Sequence, residues 1–185
     1  MRLNILFSIL SLIVLSSCSN DDHHESNKFR DSLIGMYRLT SIHTDIGVDL
    51  NNDGIKQTNL WLEADCFPYQ SFDTYFSEFE YNKLGDYKTF SIRIPYSNYD
   101  ILDGYNPTCL IDTSLFYEFS VNEDTEEIFV TYRDERESEF GVLTKIKYAN
   151  NLLYVSYNTK LYTSEGWKEV IIEMELQKFE LGNLS

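Results

Sequence analysis

From residue 36 onward, apolar side chains tend to recur at every second position rather than at helical spacing, which predicts strands. Leu115, Tyr117, Phe119 and Val121 fall on one face, with Glu118, Ser120 and Asn122 on the other. Val170, Ile172, Met174 and Leu176 stand in the same way against Glu169, Glu173, Glu175 and Gln177. Noisier runs at 36–44, 73–81, 87–94, 128–133, 142–148 and 152–161 bring the expected count to about eight strands. Turn formers separate them at 82–86, 122–125, 149–151 and 164–166. Short connections make neighbouring strands antiparallel, so the second half reads as a meander. Only 27–33 looks helical, as a short turn ahead of the first strand.

About eight meandering strands with an aromatic inward face close most economically into an up-and-down barrel, because closure removes the unpaired edges. A two-sheet sandwich is the alternative. An eight-stranded barrel is near the size that side chains can fill. Whether Tyr117, Phe119, Tyr132 and Tyr154, read as inward, leave a void therefore separates a ligand cavity from a filled interior. The irregular stretches 46–70 and 96–112 are longer than hairpins need, and long loops on a rigid scaffold are where binding concentrates.

Composition narrows the function classes. With 43% hydrophobic and 15% aromatic residues but only 8 Gly and 3 Pro, the chain folds rather than remaining disordered. Its 185 residues suit one domain. Fifteen Lys and Arg against thirty Asp and Glu leave a formal charge of −15, which excludes nucleic acid as a partner.

The first twenty residues speak to compartment. Arg2 supplies a positive start, and 5–15 is apolar apart from Ser8 and Ser11. About eleven residues at ~1.5 Å each span only half of a ~30 Å hydrocarbon layer, so the segment reads as a signal peptide rather than a membrane span. It ends in Leu15-Ser16-Ser17-Cys18, which resembles the lipobox of bacterial lipoproteins, in which the cysteine thiol is acylated after cleavage. The resemblance divides the chain into a signal peptide (1–17), a lipidated acidic tether (18–30) and a folded domain (31–185). It makes the bilayer a partner through acylated Cys18. The alternative is an ordinary secretory signal with an incidental Cys18. Ser19 behind the cysteine resembles outer-membrane sorting signals, and Asp21-Asp22 resembles the acidic tether that directs lipoproteins of Bacteroidota to the cell surface. His23-His24 lack further ligands and read as solvated.

The run 33–41, containing Gly35 and Tyr37, is followed by Val48-Asp49-Leu50-Asn51-Asn52-Asp53-Gly54, then Thr58-Asn59-Leu60, Glu63 and Cys66. Together these resemble the lipocalin-like domain lipoproteins of Bacteroidota. In that family the first strand usually reads Gly-Thr-Trp, and here Tyr37 stands at the Trp place. The resemblance implies an all-β, lipocalin-like barrel with a cavity for a small apolar ligand, and no known substrate.

Few constellations carry chemistry. Asp49-x-Asn51-x-Asp53-Gly54 has the spacing of the first half of a calcium loop, to which the Ile55 carbonyl would add a ligand. The acid expected at the twelfth position is replaced by Leu60, and Glu63 and Asp65 substitute only if the chain loops differently. The competing reading is an acidic turn whose Asn and Asp side chains satisfy the backbone. Cys66 and Cys109 are candidates for a disulfide closing a loop of about 40 residues, worth about 4 kcal/mol, against two buried thiols. His43 is the one histidine of the folded part and reads as a wall residue rather than a catalytic base, and no nucleophile motif accompanies it. An enzyme is not expected. Tyr69, Tyr96, Tyr99 and Tyr105, in the long loops, are candidates to stack on a ligand. The expectation is thus an outer-membrane or surface lipoprotein binding a small apolar ligand or an envelope protein. The alternative is a structural or interaction module of an envelope complex with a filled barrel.

Overall fold

The computed structural model describes residues 28–64, 76–81, 88–97 and 109–179, the stretch 76–81 through its backbone. The described part starts with helix α1 (Lys28–Leu33), strand β1 (Gly35–Val48), strand β2 (Gln57–Asn59) and a single helical turn α2 (Leu60–Glu63). Strands β3 (Phe76–Tyr81), β4 (Lys88–Ser97), β5 (Leu110–Asn122) and β6 (Glu127–Tyr132) follow. The turn α3 (Glu137–Phe140) then leads into β7 (Val142–Ala149), β8 (Leu152–Thr163) and β9 (Gly166–Phe179).

Every ladder is antiparallel. The strands run in the order β6-β5-β4-β3-β1-β9-β8-β7, with β2 paired to β1 off this path. The all-β antiparallel expectation is met, and so is the short helix ahead of the first strand. Period-two alternation sets the register: Val170, Ile172, Met174 and Leu176 are all at most 3% exposed, while Glu169, Ile171, Glu173 and Gln177 face outward. The turn between β7 and β8 is two residues, Asn150 and Asn151, at φ 55° and 62°. Both are left-handed, a conformation that asparagine tolerates and that matches strand twist.

The sheet curls over one core. Tyr162 N–H of β8 donates to Ser97 Oγ of β4 at 2.9 Å, although those strands are not ladder neighbours. One buried cluster holds Tyr37, Phe90, Ile92, Leu115, Leu153, Tyr157 and Leu161, none more than 2% exposed. Phe90 stacks on Tyr117 at 4.9 Å. Each such side chain contributes about 1.5–3 kcal/mol of burial. Helix α1 seats Leu33 and Phe29 against this core, and its N-terminal amides Phe29 and Arg30 donate to the Glu123 carboxylate at 2.8 and 3.2 Å.

A closed barrel is not found. Among the described residues no backbone ladder joins β6 to β7, although they are consecutive strands. The reason lies in their faces. A register slip between Glu118 and Phe119 sets Phe119 opposite Val130 and Glu118 opposite Tyr132, so a bulge flips the end of β6. Ile128 and Val130 pack on the core, but Tyr132, expected inward, is 49% exposed. Tyr154 likewise lies on the face of β8 opposite buried Leu153, Val155 and Tyr157.

Side chains bridge the seam instead. Arg133 Nη1 donates to Glu137 Oε1 at 3.0 Å and to the Leu143 carbonyl at 2.9 Å. Leu143 N–H donates to the same Glu137 oxygen at 3.1 Å. Gly141, at φ 155°, carries the chain past Tyr157 so closely that a Cβ there would stand 2.8 Å from the ring. Gly141→Ala is expected to destabilise the fold by about 1–3 kcal/mol, a typical overpacking cost. Urea denaturation checks this, and a midpoint equal to wild type would contradict the close approach.

Candidate functional site

The segment after β1 is built by its own side chains. Asn51 Oδ1 accepts from Asp53 N–H at 3.1 Å, and Asp53 Oδ1 accepts from Ile55 N–H at 2.7 Å. These are side-chain-to-backbone turns of the kind Asn and Asp make without any ligand. Asp49 is different, being only 4% exposed. Its Oδ2 accepts from Gly54 N–H at 3.3 Å and from Ser164 Oγ at 2.9 Å, and its carbonyl accepts from Ser164 N–H. The loop is thereby fastened to the turn between β8 and β9.

Glu63, in α2, folds back onto this loop. The turn is capped by Asn59, whose side chain accepts from Trp61 N–H at 3.0 Å, and it delivers a fully buried Glu63 whose Oε2 accepts from Leu50 N–H at 2.9 Å. Burial chiefly, with the nearby Asp53 and Asp49 charges adding to it, raises the Glu63 pKa above its ordinary 4.5, against the opposing pull of the Leu50 and Gln57 amides. The fold thus favours the neutral acid. That stabilisation is fully present below the ordinary value and is lost as pH rises through the elevated one. In chelator, stability should fall relative to Glu63→Gln as pH rises above the ordinary 4.5, since Gln mimics the neutral acid at every pH. Parallel pH profiles for the two proteins would contradict a raised Glu63 pKa.

The remaining expected positions are scattered. Ile55 is 59% exposed at the loop tip. Tyr96 lies within β4 rather than in a loop, its ring 4.7 Å from Phe140. Burial first, then the Glu139 and Asp112 charges, raises its phenol pKa and keeps it a neutral donor. Cys109 is disulfide-bonded, and its partner lies outside the described residues. Cys18, Cys66, Tyr69, Tyr99 and Tyr105 also lie outside them. His43 sits in the β1 wall, opposite Asn59 and Glu173.

A groove of about 890 Å³ opens on the outside of the domain, where β8 and β9 meet α3. Sequence reasoning missed it, Tyr96 excepted. Trp167, Ile171 and Val142 are 48%, 38% and 43% exposed in it, with Asp45, Glu139, Lys160 and Glu169 around them. Trp167 stands edge-on to Tyr162 at 5.4 Å, and Asp45 Oδ1 accepts from Ile171 N–H at 2.8 Å. Three large apolar side chains on outward-facing strand positions were the available signal.

No family model, curated protein or solved structure matches the chain. Among the described residues no helix is long and apolar enough to cross a membrane.

Proposed function

We propose that this chain is a lipid-anchored envelope protein, held at the outer membrane through acylated Cys18, whose β domain binds its ligand in the external groove beside Trp167. The single observation that carries the binding half is the contrast between a core filled by Tyr37, Phe90, Tyr117 and Tyr157 and an exposed Trp, Ile and Val set among carboxylates. A ligand with one apolar face and several hydroxyl or amino donors satisfies both parts of that surface. The formal charge of −15 favours neutral or cationic ligands over anionic ones. A strand order in which the sequence neighbours β6 and β7 form the two ends of the sheet supports a lipocalin-like barrel opened along the β6/β7 seam.

Trp167 is its own reporter once Trp61 is replaced by Phe, since the chain has two Trp. Neutral oligosaccharides and cationic peptides are titrated against that protein, and a saturable change in emission is expected for one class. Trp167→Ala in the wild-type background should weaken binding of that ligand at least tenfold, about 1.4 kcal/mol. No saturable change with either class would remove the groove as a binding site. The aromatic side chains buried at the core, Tyr37, Phe90, Tyr117 and Tyr157, also favour a second reading, a structural module of an envelope complex. In that case crosslinkers placed at Lys160 capture a protein neighbour while small ligands leave Trp167 unchanged.

The anchor is tested separately. Cys18→Ala should abolish incorporation of a fatty-acid analogue and release the protein from the membrane fraction. Equal labelling of both proteins would overturn the lipoprotein reading.

A further inference from the structure

We propose that the segment from Asp49 to Glu63 binds one calcium ion, with the Asp49 and Glu63 carboxylates as its inner ligands and Asn51, Asp53 and the Ile55 carbonyl completing the set. The spacing of Asp49, Asn51, Asp53 and Gly54 is half of a calcium loop, and such a turn alone identifies nothing. The decisive observation is independent of spacing. Asp49 Oδ1 and Glu63 Oε1 are both buried and neither has a hydrogen-bond partner. The residues that carry them are 4% and 0% exposed. Buried side-chain oxygens are nearly always paired, because an unpaired one keeps the full cost of leaving water. Here two carboxylate oxygens in one small region share that condition.

The bonds these groups do make explain how they would serve a cation. Asp49 spends Oδ2 on Gly54 N–H and Ser164 Oγ, and Glu63 spends Oε2 on Leu50 N–H. Each carboxylate is thus oriented by one oxygen and left with the other. A proton satisfies only one of the two remaining oxygens, whereas a divalent cation satisfies both and offsets the repulsion of Asp49 and Asp53 on Glu63. The ligand chemistry is all oxygen, including a backbone carbonyl, on a turn that can adjust. That suits calcium, which takes 6–8 oxygens in loose geometry, better than magnesium, which demands a tight octahedron. Zinc would want nitrogen or sulfur.

Among the described residues no three His, Cys, Asp or Glu side chains stand at metal-ligand spacing. Completing the set therefore takes a movement, and Asp53 is the side chain to make it. Its Oδ2 is held by Asn51 Nδ2 at 3.2 Å on the exposed side of the turn. Glu63 stands past the usual closing position, because β2 and the capped turn α2 intervene before the chain comes back to the loop. Since Asp49 also holds Ser164, the bound ion would stiffen the turn that leads into the Trp167 strand.

The test uses the folded domain in chelator, then calcium alone, with terbium as a luminescent substitute excited through Trp61, two positions from Glu63. Affinity of roughly 10⁻⁴–10⁻³ M is expected. At calcium a hundredfold above the dissociation constant, the melting temperature should rise by about 5–10 °C. Terbium emission should saturate and be displaced by calcium. Glu63→Gln and Asp49→Asn should each fold in chelator, because each keeps an oxygen for the backbone amide that its carboxylate holds, and each should lose the calcium shift. Magnesium should give a smaller shift. An unchanged wild-type melting temperature from chelator to about 100 mM calcium, a hundredfold above the weaker ~10⁻³ M limit, overturns the proposal. So does a calcium shift that persists in both variants.

Discussion

Glu137→Ala is expected to lower the stability of the domain by about 2–3 kcal/mol, a fall of roughly 4–12 °C in melting temperature for a chain of this size. The magnitude follows from what Glu137 does at the seam. It is 8% exposed and accepts from the buried Leu143 N–H and from Arg133, and its charge helps burial to raise the Tyr117 phenol pKa. Truncation leaves the Leu143 amide buried without an acceptor, at a cost of about 1–3 kcal/mol if nothing replaces the carboxylate. The lost ion pair adds less, because the Arg133 side chain is 48% exposed and water takes over its charge. Arg133→Ala should accordingly cost only about 1 kcal/mol, and Glu137→Gln, which keeps an oxygen for Leu143, should fall between the two. Urea denaturation of the single and double variants gives the coupling directly. A Glu137→Ala midpoint within error of wild type would mean that the β6 and β7 edges are held by something other than this cluster.

Tyr37→Ala is expected to cost about 3–5 kcal/mol, in the range for deleting a buried aromatic ring. Tyr37 is fully buried, stands edge-on to Tyr148 at 6.2 Å, and donates its hydroxyl to the Leu33 carbonyl at 2.6 Å. It therefore joins β1 to both α1 and β7. Tyr37→Phe removes only the hydroxyl and should cost about 1 kcal/mol. Tyr37→Trp puts a larger ring at the same place. In a core packed this closely the larger ring should cost about 1–3 kcal/mol unless α1 shifts to admit it. Melting curves rank the three. A cost below about 1 kcal/mol for Tyr37→Ala would show that the end of the domain under α1 collapses to refill the space.

Much of the strand architecture was legible because a half-buried strand writes its burial into every second residue. The inward rows of β5 and β9, the Asn150-Asn151 turn and the short helix ahead of β1 all followed from local rules of spacing and turn chemistry. The acidic turn from Asp49 to Gly54 was equally visible, since Asn and Asp at alternate positions act on their own backbone.

Tertiary structure decided what local rules do not encode. One bulged residue at the end of β6 turned Tyr132 out and left the β6 and β7 edges apart, and no period in the sequence marks a bulge. Glu63 lies outside the spacing at which a loop closes on itself, so only the cap at Asn59 and the reversal through α2 bring it back to Asp49. Tyr96 belongs to a strand because Ile111 pairs opposite it, which loop-like composition around Pro95 concealed. The groove draws on β1, β4, β7, β8, β9 and α3, far apart in the chain, and its exposed Trp167 gains significance only beside them. Strand faces are a property of neighbouring residues, whereas seams, returns and grooves are properties of which distant residues meet.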